Sequence, residues 1–186
     1  MCGKMVEKDL KSSRTLDLVN CLLEDPTRSL SKIAEKSNMY RRTVWRKKGE
    51  LEEDHTIWGY TTVIDESKLG QVLYMALFRI KPMLSREFAD LVIERLTTRA
   101  PSKDGVRIID ILYINGFYDV VIRFSAPDHA IARMYYETLR STYNGYFLED
   151  PLLCDVNFSL VRMGKVNPEL EKLYNFIPKV KTKIRA

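Results

Sequence analysis

SLSKIAEKSNMYRRTVWRKK, residues 29–48, decides the fold: a short helix, a break at Ser37-Asn38-Met39, and a second helix rich in cations. Ser29 is a good N-cap, because its hydroxyl accepts from the unpaired N–H groups of the first turn. Ile33 and Ala34 form the buried side of the first helix, and Asn38 suits the left-handed conformation that ends one. The helix that follows, about 40–53, is expected to turn Val44, Trp45 and Leu51 inward and Tyr40, Arg41, Arg42, Arg46 and Lys47 outward. Residues 40–49 hold five cations and no acid. Such a helix, braced by another, is what a surface that meets nucleic-acid phosphates requires. A solvated charged face is the blander reading. The crowding of cations into the first half of the helix, with no acid before Glu50, favours the interface.

Upstream, residues 14–24 set Leu18, Val19, Leu22 and Leu23 along one helical stripe, which Asp25-Pro26 stops. Downstream the pattern changes. Residues 57–64 are β-branched and aromatic, as in a strand, and Asp65 to Gly70 reads as a linker. The signals that follow are strand 72–81, helix 85–99, strands 106–114 and 118–125, helix 128–143 and strand 153–162. That order, βαββαβ, is the ferredoxin-like plait. Asn115-Gly116 between the middle strands signals a tight hairpin with two positive φ angles.

The predicted class is α+β: a three-helix helix-turn-helix domain over 1–56, a hinge strand and linker over 57–71, a ferredoxin-like domain over 72–163, and a C-terminal helix and basic tail over 164–186. Strict alternation places Val106, Ile108, Leu112 and Ile114 on one face of their strand and Ile109, Ile111 and Tyr113 on the other. Leu73, Met75 and Leu77 against Tyr74, Ala76 and Phe78 repeat this in the first strand. Helices cover one side of a four-stranded plait, so a sheet with two apolar sides predicts a homodimer.

Charge follows the same division. The chain carries +5 overall, but +2 over residues 1–60, −1 over 61–163 and +4 over 164–186. Cys2, Cys21 and Cys154 are odd in number and form no C-x-x-C, against both a disulfide framework and a zinc site. With no long apolar run, the expectation is a soluble cytoplasmic protein without membrane partners. No Gly-rich phosphate loop, nucleophile elbow or carboxylate pair is present, so no catalytic residue, metal or cofactor is expected. His55 and His129 lack metal-ligand neighbours and read as surface or hinge residues. Tyr113, Tyr118, Tyr135, Tyr136, Tyr143 and Tyr146 are expected as sheet and core material with hydroxyl partners.

The helix-turn-helix, then Ile57-Trp58-Gly59-Tyr60, Ile64-Asp65 and Leu69-Gly70, then the plait, together resemble the Lrp/AsnC family of bacterial and archaeal regulators over roughly residues 14–163. The resemblance implies a dimer built through the plait domains, often stacked into tetramers or octamers. It implies binding of double-stranded DNA through Tyr40, Arg41, Arg42, Thr43, Arg46 and Lys47, and response to a small effector, usually an amino acid. The family's Gly-x-x-Asp turn, which lines an effector cleft, corresponds to Asn115, Gly116, Phe117, Tyr118 and Asp119. Asp119 would meet the amine, and Phe117 stands where relatives often carry an acid. Three departures stand out: Lys48 at an apolar core position, Gly49 inside the recognition helix, and His55 in place of a glycine. They keep open a partner subunit that modulates a related regulator without binding DNA. Siroheme decarboxylases share the architecture, but their arginine- and histidine-bearing segments are not found here. Beyond the resemblance, 168–177 reads as a packed short helix with Leu170, Leu173, Tyr174 and Ile177 on one stripe. Lys179, Lys181, Lys183 and Arg185 follow, either as a frayed end or as a phosphate-binding arm.

Overall fold

The computed structural model describes residues 13–81, 85–98, 102–103 and 105–178; Cys2 and the basic residues beyond Pro178 lie outside them. The chain divides into two compact units, Met1–Val63 with Val161–Leu170, and Ile64–Leu160 with Glu171–Ala186.

In the first unit, α1 (Ser13–Glu24), α2 (Leu30–Lys36) and α3 (Arg41–Glu53) close on Leu18, Cys21, Leu22, Ile33, Ala34, Val44 and Leu51. Cys21 takes the buried place expected of Leu23, which is exposed, because positions 18, 21 and 22 are the ones that share a face at helical spacing. Ser29 caps α2 by accepting from the Lys32 N–H at 3.4 Å, and Asn38 takes φ 49°, as its side chain allows. The segment 57–64 is not a strand. Residues 58–63 are exposed and pair with no strand among the described residues, so β propensity has nothing to act on. A two-stranded hairpin, Val161–Arg162 with Lys165–Val166, turns through Met163 and Gly164, both at positive φ. Its Lys165 ammonium donates to the Glu24 carbonyl at the end of α1, where a cation suits the helix dipole.

The second unit opens with a 3-10 turn, Glu66–Leu69, capped by Asp65 and ended by Gly70 at φ 68°. Then come β1 (Val72–Phe78), α4 (Arg86–Thr98), β2 (Ser102–Lys103), β3 (Val106–Tyr113), β4 (Val120–Ala126), α5 (His129–Tyr143) and β5 (Leu152–Asp155). The sheet order is β2-β3-β4-β1-β5, antiparallel throughout. Without the two-residue β2 this is the expected plait. Tyr74, Ala76, Phe78, Val106, Ile122 and Phe124 pack under Ala132, Tyr136 and Leu139 of α5. Tyr74 stacks on Phe124 at 5.6 Å, and the Tyr136 hydroxyl donates to the Pro151 carbonyl.

Four local expectations need correction. The pairing of β3 with β4 slips by one residue between Ile108 and Asp110. A bulge reverses the alternation beyond it, so Ile111 and Tyr113 join Val106 and Ile108 on the helix side. The opposite face carries Leu112, Val121, Met75 and Leu77 together with Asp110 and Arg123, and is not uniformly apolar. Asn115-Gly116 is no tight turn: neither residue has positive φ, and a wider loop closes by the Ile114 N–H on the Asp119 carbonyl at 2.7 Å. β5 stops at Asp155, because β1 begins at Val72 and its last bond, from the Val156 N–H to the Leu73 carbonyl, leaves nothing to pair with. The C-terminal helix is a 3-10 helix, Leu170–Phe176, whose Leu170, Leu173, Tyr174 and the following Ile177 are exposed rather than packed. Tyr113 is likewise exposed, whereas Tyr136 is buried.

Candidate nucleic-acid interface

α3 is held in place from behind. Val44 is fully buried and Leu51 nearly so, while the Ser37 hydroxyl donates to the Ile33 carbonyl at 2.7 Å and the Met39 N–H to the Ala34 carbonyl at 2.9 Å. The break between α2 and α3 is therefore closed by hydrogen bonds on both sides of Asn38, which fixes the angle at which α3 leaves. Lys48 resolves its misfit in the core stripe by extending outward, its ammonium 3.4 Å from a Glu52 carboxylate oxygen and 5.0 Å from the Tyr60 ring centre. The Tyr60 hydroxyl donates to Glu52 at 2.9 Å; desolvation, then this bond, push the phenol up to about 12. His55 stands at φ 62°, a left-handed position that explains why a glycine is the easier residue there.

The cations divide into two groups. Arg41 and Arg42 are exposed and make no ion pair with any described residue. Arg46 is exposed but paired with Glu50 in its own helix. Lys47, expected on the open face, is half-buried and donates to the Thr15 hydroxyl of α1 at 3.3 Å. Thr43 is also half-buried, and Tyr40, the N-cap residue, is 85% exposed with no side-chain cap bond.

Sequence reasoning placed Trp45 wrongly. It is 67% exposed, one turn along from Arg41 and on the same side, with Gly49 another turn on. The clue was available: Val44 and Leu51, seven apart, define the buried stripe, and Trp45 falls about 100° away from Val44. A Cβ on Gly49 would meet nothing within 4 Å, so this part of the face is open backbone. Arg41, Arg42, Trp45 and Arg46 thus flank a bare patch of helix. The first turn holds no acid, so two guanidinium groups stand at the positive end of the helix dipole. That placement is unfavourable for the free helix and becomes favourable when an anion arrives.

In the second unit, Asn115, Gly116 and Phe117 are exposed and Tyr118 and Asp119 half-buried. Asp119 is heavily engaged: its Oδ2 accepts from the Ile80 N–H at 2.7 Å, and its own N–H donates to the Phe78 carbonyl at 2.9 Å. The Arg79 guanidinium lies 4.5 Å from the Phe117 ring centre and pairs with Glu149 at 3.5 Å. No helix among the described residues is long and apolar enough to cross a membrane.

No protein-family model matches the sequence, and no curated protein shows significant similarity to it. Solved structures are similar in fold. An AsnC family transcriptional regulator from Agrobacterium tumefaciens aligns over 85% of this chain and 97% of its own, with TM-score 0.62 and 16% identity. The leucine response regulatory protein of Mycobacterium tuberculosis aligns over 82% and 96%, with TM-score 0.61 and 15% identity. A transcriptional regulator from Neisseria meningitidis, solved as an L-Met complex, aligns over 81% and 92%, with TM-score 0.60 and 11% identity. The helix-turn-helix and plait of this chain are the fold of the Lrp/AsnC transcriptional regulators.

Proposed function

We propose that this protein is a DNA-binding transcriptional regulator that works as a dimer or larger homo-oligomer. The observation that carries the reading is the exposed pair Arg41 and Arg42 at the acid-free start of α3, unengaged by any described residue. In this reading α3 enters the major groove. Arg41 and Arg42 meet base edges or neighbouring phosphates, Arg46 holds the backbone, and Tyr40 and Trp45 supply apolar contact. Thr43 and Lys47 lie at the margin of the contact, Lys47 serving mainly to hold α3 on α1. Dimerisation uses the helix-free sheet face around Met75, Leu77, Leu112 and Val121, and it delivers two copies of α3 to half-sites one helical turn or a multiple apart. Regulation by an amino acid or other small effector is assigned to Asn115–Asp119, with the Asp119 oxygen not held by Ile80 as the amine acceptor. The fold shared with transcriptional regulators supports the whole reading.

The deciding experiment is footprinting and fluorescence anisotropy on the upstream region of the protein's own coding sequence at two salt concentrations, with and without amino acids. If Arg41, Arg42 and Arg46 of both chains each neutralise one phosphate, log affinity against log salt has a slope of about −5.4. Absence of any complex at low salt overturns the proposal and leaves the partner-subunit reading in its place.

A further inference from the structure

The plait unit contains a cavity of about 500 Å³ between the sheet and its two helices. Six aromatic rings line it: Phe78, Phe88, Tyr113, Tyr135, Tyr143 and Phe147. Ile93, Leu96 and Met134, which also line it, are exposed and form its mouth. The cavity exists because α4 is poorly seated. Among its described residues Phe88 alone is buried, so the helix stands off the sheet along most of its length. Interiors of small domains are close-packed, and an unfilled apolar void loses stability roughly in proportion to its volume. The size lies within the range of small-molecule sites.

Besides Thr138 and the hydroxyls of Tyr113 and Tyr143, two polar groups break the apolar lining, and neither makes an ion pair or a side-chain hydrogen bond to a described residue. Arg95 of α4 makes no ion pair with any of them, and its guanidinium lies 5.6 Å from the Tyr143 ring centre. Tyr135 of α5 makes no hydrogen bond to a described residue; burial pushes its phenol up to about 12, with the neighbouring Arg95 charge acting against that rise. A cation and a phenol, near enough for the charge of one to act on the other, thus line the same aromatic-walled space. The lining contains no Asp or Glu.

We propose that this cavity binds a small apolar carboxylate, its acyl or aryl body among the rings and its carboxylate on Arg95 with the Tyr135 hydroxyl donating to it. The chemistry selects against the obvious alternatives. A free amino acid would bring an ammonium group to a site with an unpaired guanidinium and no acid, and a phosphate ester would bring more charge than one arginine offsets. No residue of Asn115–Asp119 lines the cavity, so it is a second ligand position and does not depend on the effector reading given above.

The test is calorimetric titration of the full chain with sodium octanoate and with 1-octanol, which differ at the head group alone. The unaltered protein should bind one octanoate per chain, at least about tenfold more tightly than octanol, as a charge-assisted bond in a poorly solvated site requires. Arg95→Ala should bring octanoate down to the level of octanol and leave octanol unchanged. Ala89→Phe, which fills the space, should weaken both. Equal affinities for the two ligands in the unaltered protein, no binding of either, or octanoate binding that Arg95→Ala leaves intact would each overturn the proposal. So would undiminished binding by an Ala89→Phe chain of unchanged thermal midpoint. If that variant is destabilised, Arg95→Ala decides alone. No DNA enters the titration, so its failure and the failure of the regulator reading are separate results.

Discussion

Arg123 of β4 clasps Asp110 of β3 on the helix-free side of the sheet, with its Nε 2.8 and 2.9 Å from the two carboxylate oxygens. The bulge at Ile109 makes this possible: without the slipped register, Asp110 would not lie opposite Arg123. The bonds to Asp110 raise the already high pKa of Arg123, so its guanidinium stays charged. Both side chains are partly shielded from solvent. Asp110→Ala, which leaves the guanidinium unmatched, should lower stability by about 1–2 kcal/mol in urea denaturation. A change under about 0.5 kcal/mol would mean the pair is worth no more than a surface ion pair.

The division among the cations of α3 predicts unequal effects on DNA affinity. Arg41→Ala and Arg42→Ala should each weaken binding by about tenfold and make the salt slope shallower by about 0.9 for every phosphate left without its cation. Lys47→Ala should change DNA affinity little and instead lower the thermal midpoint, since its ammonium is committed to Thr15. Anisotropy titrations beside melting curves separate the two, and a Lys47 variant that melts normally but fails to bind would contradict the assignment.

Gly49 and His55 can be tested together, because each departs from what its backbone position prefers. His55→Gly relieves a left-handed residue and should stabilise the helical unit by about 1 kcal/mol. Gly49→Ala adds a methyl that meets nothing within 4 Å and should stabilise by a similar amount, about 1 kcal/mol, through helix propensity. The two should part company on DNA: His55→Gly leaves affinity unchanged, whereas the Gly49 methyl intrudes on the bare face and weakens it.

Ultraviolet titration follows the phenols directly. Of the ten tyrosines, Tyr60 and Tyr135 should ionise near pH 12 rather than near 10, the first from desolvation plus its bond to Glu52, the second from burial. A folded-state value above the unfolded one means that stability is complete below about pH 10 and is lost as the pH rises from there towards 12. Tyr60→Phe should remove one late-titrating group and flatten part of that decline. A single transition near 10 for all tyrosines would refute both assignments.

Where a signal is local, the sequence was enough. Ser29 caps a helix, Asn38 ends one, and the order of strands and helices in the plait follows from periodicity and punctuation. What escaped depends on partners. The stretch 57–64 has strand composition but pairs with no strand among the described residues, and 170–176 has a helical stripe that stays exposed. The face assignment beyond Asp110 failed because one inserted residue inverts a period of two, and a bulge leaves no trace in composition. At the candidate interface, the arginines were legible as a charge run. Their division into committed and uncommitted groups needed Thr15 and Glu50 placed in space, and Trp45 needed the helix phase fixed from Val44 and Leu51 rather than from hydrophobicity.

The Lys47–Thr15 tether leaves each copy of α3 thinly armed, with two arginines unengaged by described residues. If α3 is the reading head proposed above, a lone copy would have little grip on arbitrary duplex and would dissociate quickly. Once two heads are yoked, the second engages at the high effective concentration set by the first, and avidity replaces brute attraction. In the regulator reading proposed above, occupancy of a target would then climb steeply with the number of joined chains, so whatever governs assembly would also govern the gene.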